Sequence, residues 1–193
     1  EAVPLVVNYL TAHMVMHRTA NVMSRERVLI HGAAGGVGSA LLELGKLAEL
    51  EMYATASKYN HALVSSLGAT PIDYRTEDFV ARIHALTGDG VDAVFDPIGG
   101  GRQLLRSYRA LRAGGRLVWF GVAAAKREGF RVIPMSLLIR TLLALIPDGK
   151  RAPLTPDLGK DPAWYRETLV ELLDLLAAGK IQPVVAERIP LAE

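Results

Sequence analysis

The stretch Arg27-Val28-Leu29-Ile30-His31-Gly32-Ala33-Ala34-Gly35-Gly36-Val37-Gly38 decides the fold of this chain. Its first five residues form a short apolar run of the kind buried in a parallel sheet. Glycines follow at once, and from Ser39 to Leu50 the leucines at 41, 42, 44 and 47 fall at helical spacing. Strand, glycine loop and helix in that order make a phosphate-binding turn. Glycines permit the tight turn, let the backbone approach a pyrophosphate, and let the helix pack closely on the strand. The helix start adds free N–H groups and the positive end of its dipole. The backbone of Ala34, Gly35, Gly36, Val37 and Gly38 is thus the candidate diphosphate cradle. Aligned on Gly35 and Gly38, the first fingerprint position is Ala33 rather than glycine, a small residue that still fits. No Lys-Ser or Lys-Thr follows the glycines, which excludes a Walker A loop.

Outward from this turn, short strands alternate with helices. Strands are predicted at Met52–Ala56, Pro71–Tyr74, Val91–Phe95 and Arg116–Phe120. Helices are predicted at Asn60–Leu67, Glu77–Leu86 and Arg102–Leu111. Consecutive right-handed βαβ units build a parallel sheet covered on both faces. The expected fold is therefore an α/β, doubly wound (Rossmann) sheet with helices on both sides. Leu5–Val22 reads as a helix leading into the sheet. Val132–Pro147 reads as a buried or partner-facing helix, inside a stretch from 122 to 162 that looks like an irregular, apolar and proline-rich insertion. Trp164–Ala178 is an amphipathic helix ended by Gly179, and Val184–Ile189 reads as a last strand.

Composition narrows the function classes. The 193 residues suit one domain, 1–193, and the 50% hydrophobic and 22% charged content exclude disorder. A net charge of +2 leaves no nucleic-acid footprint. Absence of cysteine excludes a disulfide framework, a Cys-ligated zinc and a thiol nucleophile. No signal peptide or membrane span is expected, which favours a cytoplasmic setting, and the Met-less start suggests a piece of a longer protein.

The choice of dinucleotide rests on the end of the second strand. NAD sites usually place an acid there for the ribose 2′-OH. This chain has Thr55-Ala56-Ser57-Lys58, with no Asp or Glu between Glu51 and Asp73. Ser57 and Lys58 offer a donor and a cation to a 2′-phosphate, so NADP(H) is the expected cofactor. A plain reading also stands: Ser57 caps the next helix and Lys58 is a solvated lysine. Tyr74 is equally a cofactor contact or an edge aromatic. Asp96-Pro97-Ile98-Gly99-Gly100 sits where ligands are met, though turn chemistry alone explains it. The five histidines suggest no three-ligand metal site, His13 and His17 read as structural or exposed, and no Ser-His-Asp set is apparent. No residue stands out as a catalytic acid.

These motifs carry a resemblance. The phosphate loop at His31–Gly38, Asn8-Tyr9-Leu10-Thr11-Ala12, Thr55–Lys58, Ile72-Asp73-Tyr74-Arg75, Gly90–Asp96, Gly114–Val118 and Gly179–Pro183 resemble the cofactor-binding half of the medium-chain dehydrogenase/reductase superfamily. The likeness is to its zinc-free, quinone-reductase-like branch. It implies that Lys58 contacts the 2′-phosphate, that Tyr74 lines the cofactor site, and that Thr11 and the Phe120-Gly121-Val122 loop lie near the nicotinamide. It implies hydride transfer from NADPH to a quinone or enone, a substrate held against a separate N-terminal catalytic domain, and pairing into a homodimer. Without that domain the chain is expected to bind cofactor but not to turn over. Two alternatives remain: an enoyl reductase domain of a polyketide synthase, which usually carries Asn-Ser-Leu where this chain has Asp96-Pro97-Ile98, and a non-catalytic NADPH-binding or protein-interaction module.

Overall fold

A computed structural model of the protein describes residues 4–155 and 161–184. The strands are β1 Arg27–Ile30, β2 Glu51–Ala56, β3 Thr70–Asp73, β4 Val91–Asp96 and β5 Leu111–Trp119. They form one parallel sheet in the order β3-β2-β1-β4-β5, so the strand order reverses between β1 and β4. This is the doubly wound topology expected from the sequence, and ligands meet such sheets at that reversal.

Side-chain alternation divides the core. On β1, Val28 and Ile30 face one layer and Leu29 the other. The first layer holds α1 (π-wound over Leu5–Tyr9 and Met14–Ala20, α-helical over Leu10–His13), α2 Gly36–Leu47, α3 His61–Ser66 and α8 Pro162–Ala177. The second holds α4 Phe79–Thr87, α5 Gly101–Arg109 and α7 Val132–Ala144, packing Ile83, Leu104 and Leu143 on the sheet. The stretch from 122 to 155 is thus partly helical, with a short α6 at Ala125–Glu128 before α7. Among the described residues no helix is long and apolar enough to cross a membrane. The strand predicted at Val184–Ile189 lies, beyond Val184, outside the described residues.

Boundaries move where a cap or bulge overrides hydrophobic pattern. Helix α2 begins at Gly36 rather than Ser39, inside the glycine loop itself. Helix α8 begins at Pro162 because the Asp161 carboxylate accepts a hydrogen bond from Trp164 N at 3.1 Å. The largest shift is in β5, predicted from Arg116 and found from Leu111. Pairing steps from Val91↔Leu111 to Ala93↔Arg116, so the residues between them bulge out of the ladder. Gly114 supplies the left-handed turn at φ +76°, and Asp92 holds the Arg112 guanidinium.

Helix α8 docks on α1 through a titratable contact. The His13 ring lies 4.5 Å from that of His17 and 6.0 Å from that of Trp164, and its Nε2 is 3.6 Å from a Glu171 carboxylate oxygen. The acid absent from α1 is therefore supplied by α8. Burial, and then the neighbouring His17, push the His13 pKa down to about 4. Glu171 remains 60% exposed, so water screens its attraction and burial wins. The folded state thus refuses a proton that the unfolded chain takes near pH 6.5. Stability is full above that pH and falls as pH drops towards 4. Urea midpoints at pH 7.5 and 5 should reveal an acid loss of which His13 supplies about 2 kcal/mol; His13→Gln removes that share and leaves the part due to His17, whose pKa burial also lowers. Equal acid loss in both proteins would assign it to other groups.

Candidate functional site

The glycine loop sits where the C-terminal ends of β2, β1 and β4 meet. His31 N donates to Phe95 O at 3.0 Å and Ala33 N to Thr55 O at 3.2 Å, tying the loop to both neighbouring strands. Gly32 turns the chain at φ +62°. Gly38 is buried against the turn: a Cβ there would lie 2.3 Å from Gly32 O and 2.7 Å from Ala33 Cα. Gly35 and Gly36 are exposed at the loop surface. Gly35 precedes α2 in an extended conformation, and no side chain caps the helix start. Its first N–H groups are consequently available to an anion.

The other predicted residues surround this loop. A Cβ on Gly36 would lie 2.5 Å from the Asn8 amide, so α1 abuts the loop, and half-buried Thr11 stands one turn further along. Ser57 is half-buried and Lys58 exposed immediately after β2. Ser57 precedes the 3-10 turn Lys58–Asn60 without a side-chain cap bond to its backbone, while its Oγ accepts from Asn60 Nδ2 at 3.4 Å. Tyr74 falls just past β3 and is 54% exposed, with the Arg75 guanidinium 5.7 Å from its ring centre. Phe120, Gly121 and Val122 follow β5 and close on the β4–α5 loop. Phe120 N donates to Asp96 O at 3.1 Å and Ala123 N to Pro97 O at 3.1 Å. A Cβ on Gly121 would lie 2.5 Å from Pro97 O, so only glycine allows this approach.

A cavity of about 690 Å³ opens along the same edge of the sheet, on the α4–α5 side. Its lining includes His31, Gly32, Thr55, Tyr74, the Ile98–Arg106 region and Ala123–Ala124. Of the predicted residues Tyr74 lines it; Thr11, Ser57, Lys58 and Phe120 do not. The chain therefore presents the glycine loop and α1 on one side of the edge and a roomy cleft on the other.

The cavity floor contains a polar chain that sequence reasoning missed. His31 is 1% exposed and Asp96 fully buried. His31 Nδ1 lies 2.9 Å from Thr55 Oγ1, and Nε2 lies 3.1 Å from Ser107 Oγ. Ser107 donates its hydroxyl proton to Asp96 Oδ2 at 2.7 Å. Asp96 Oδ1 accepts from Ile98 N at 2.8 Å and Gly99 N at 3.0 Å. The carboxylate fixes the direction of the whole chain. Ser107 gives its only proton to Asp96, so its oxygen accepts from His31 Nε2–H, and His31 Nδ1 accepts from Thr55. Burial lowers the His31 pKa, Asp96 opposing and the Arg106 charge adding to it, so the ring is held neutral. Serine, histidine and aspartate are in contact here, but in the wrong order for nucleophile activation: the hydroxyl lies between imidazole and carboxylate. Its work is to lock the β4–α5 loop to the end of β1. The one signal in the sequence was a polar residue closing an otherwise apolar strand.

Among the described residues no group of three or more His, Asp or Glu side chains is arranged to hold a metal ion. The family model described as zinc-binding dehydrogenase matches residues 36–146. The zebrafish (Danio rerio) synaptic vesicle membrane protein VAT-1 homolog is 32% identical over 195 residues, covering 95% of this chain and 40% of that protein. The crystal structure of the CurK enoyl reductase superposes with a TM-score of 0.81 at 28% identity, covering 98% of this chain and 55% of that one. A quinone oxidoreductase from Pseudomonas syringae pv. tomato DC3000 gives a TM-score of 0.74 at 30% identity, covering 90% and 52%. This chain thus spans between 40% and 55% of the length of these three proteins. Its fold, its glycine loop and a family match over more than half its length lead to one assignment: the chain belongs to the zinc-binding dehydrogenase family, with the quinone-oxidoreductase and enoyl-reductase members of the medium-chain dehydrogenase/reductase superfamily.

Proposed function

We propose that this chain is the NADPH-binding domain of a reductase that passes hydride to a small-molecule quinone or enone. One observation carries the reading: an uncapped helix opens from a glycine loop at the strand-order reversal, beside a β2 end that lacks a free acid. Asp73 does stand opposite Ala56 in the ladder. Its carboxylate, however, accepts from Arg75 N at 3.0 Å and Thr76 Oγ1 at 3.1 Å, which commits it to its own turn. A ribose 2′-OH therefore meets no uncommitted carboxylate there, whereas Ser57 and exposed Lys58 suit a phosphate.

In this reading the Gly36 and Val37 N–H groups hold the diphosphate, and Gly35 leaves room for it. Tyr74 borders the adenosine, and Thr11 and the Phe120–Val122 loop border the nicotinamide. When bound, the nicotinamide supplies the hydride; the protein supplies position and exclusion of water. The substrate would be held against a further catalytic domain of the parent protein. A cytoplasmic setting and a homodimer belong to the same proposal. The likeness to the CurK enoyl reductase favours a second reading, an enoyl reductase domain of a polyketide synthase.

Calorimetric titration with NADPH and NADH tests the cofactor. The expected result is tighter NADPH binding, weakened at least about tenfold in Lys58→Ala with NADH unaffected. Equal affinities would sink the NADPH assignment. Turnover of the whole protein on quinones, free enones and enoyl thioesters would separate the two reductase readings.

A further inference from the structure

The large cavity is electrically one-sided. Among the described residues its lining contains Arg102 and Arg106 and no Asp or Glu. Arg106 is already satisfied: its Nη2 pairs with Asp78 at 3.0 Å, and its guanidinium lies 4.3 Å from the centre of the Phe79 ring. Arg102 differs. It is exposed in the first turn of α5 and has no ion pair among the described residues. His31 on the floor is held neutral by burial, with both ring nitrogens engaged by hydroxyls, and the Asp96 charge is enclosed by Ser107 and two backbone N–H groups. One uncompensated cation therefore faces a cleft lined across the sheet edge by Thr55 and Tyr74.

We infer that Arg102 is a specificity-determining residue, supplying the cavity's charge to the phosphate on the adenosine ribose of the cofactor. This rests on the NADPH reading above and changes which residues carry it. Lys58 does not line the cavity, so in this proposal the preference for a 2′-phosphate is shared between the exposed lysine that follows β2 and an arginine of the cavity lining. A guanidinium suits this role because it meets phosphate oxygens with two parallel donors and keeps its charge at any working pH.

The test uses 2′,5′-ADP and ADP as probes, with NADPH and NADH beside them, in calorimetry on the wild type, Arg102→Gln and Arg102→Lys. Exposure of Arg102 makes all three proteins comparable in folding, which a thermal melt checks. The expected result is a loss of at least about tenfold for NADPH and 2′,5′-ADP in Arg102→Gln. NADH and ADP should be unchanged, and Arg102→Lys should recover part of the loss. The salt dependence of 2′,5′-ADP binding should also weaken in Arg102→Gln. If wild type prefers NADPH but Arg102→Gln keeps that preference, the inference about Arg102 is overturned and the NADPH reading stands. Loss of all four ligands to the same degree would make Arg102 a general contact and overturn its role in specificity. If wild type itself shows no preference for the 2′-phosphate, both readings fall.

Discussion

Gly38→Ala is expected to lower stability by about 3 kcal/mol, and the melting temperature by roughly 10 °C, without any ligand present. The added methyl would sit 2.3 Å from Gly32 O and 2.8 Å from the Ala33 carbonyl carbon. Both are backbone atoms, so no rotamer change relieves the overlap. Helix α2 must shift off the turn, and it carries Leu41 and Leu42, both fully buried, with it. Gly35→Ala makes the informative contrast. Its Cβ would lie 3.2 Å from Gly32 O, a contact that a few tenths of an ångström relieve, and its φ of −82° suits any residue. It should melt within a few degrees of wild type yet bind NADPH poorly, because its methyl fills the approach to the helix start. Thermal melts and calorimetry on the two variants separate a glycine needed for packing from one needed for the ligand. Equal destabilisation by both would refute the division.

How much of this was legible in the sequence depends on how local the causes are. The glycine loop, the order of strands and helices, and the end of β2 at Ser57-Lys58 are written in consecutive residues, and the structure places them as read. The bulge in β5 was not legible, because Leu111 joins the ladder only through its pairing with Val91, and Asp92 must be present to hold Arg112. The polar floor was equally hidden. Thr55, His31, Asp96 and Ser107 are far apart along the chain. Parallel register brings the ends of β1, β2 and β4 together, Ile30 aligning with Ala54 on one side and Phe95 on the other, and α5 lays Ser107 beside them. Arg102 carries no motif at all. It is set apart from Arg106 by tertiary contacts, since Asp78 and the Phe79 ring engage Arg106 and not Arg102.

The polar floor supports the second large prediction. Asp96→Ala should destabilise the domain by about 3 kcal/mol, because it strips acceptors from the Ile98 and Gly99 N–H groups and from the Ser107 hydroxyl. The more discriminating variant is Asp96→Asn. Its oxygen can still accept the two backbone N–H groups, so the loop keeps its turn. Its amide nitrogen, however, now donates towards Ser107 where the carboxylate accepted. Ser107 must then turn its proton to His31 Nε2, and His31 must move its own proton to Nδ1 and donate it to Thr55. The geometry survives with the donors along Ser107, His31 and Thr55 reversed. Nitrogen NMR of the His31 ring should report the Nε2–H tautomer in wild type and the Nδ1–H tautomer in Asp96→Asn. Stability should fall far less in the asparagine variant than in the alanine one. An unchanged tautomer in Asp96→Asn would mean that Asp96 does not set the direction of the chain. The floor of the cavity would then be held by packing, and the His31 tautomer would be set from its Thr55 side.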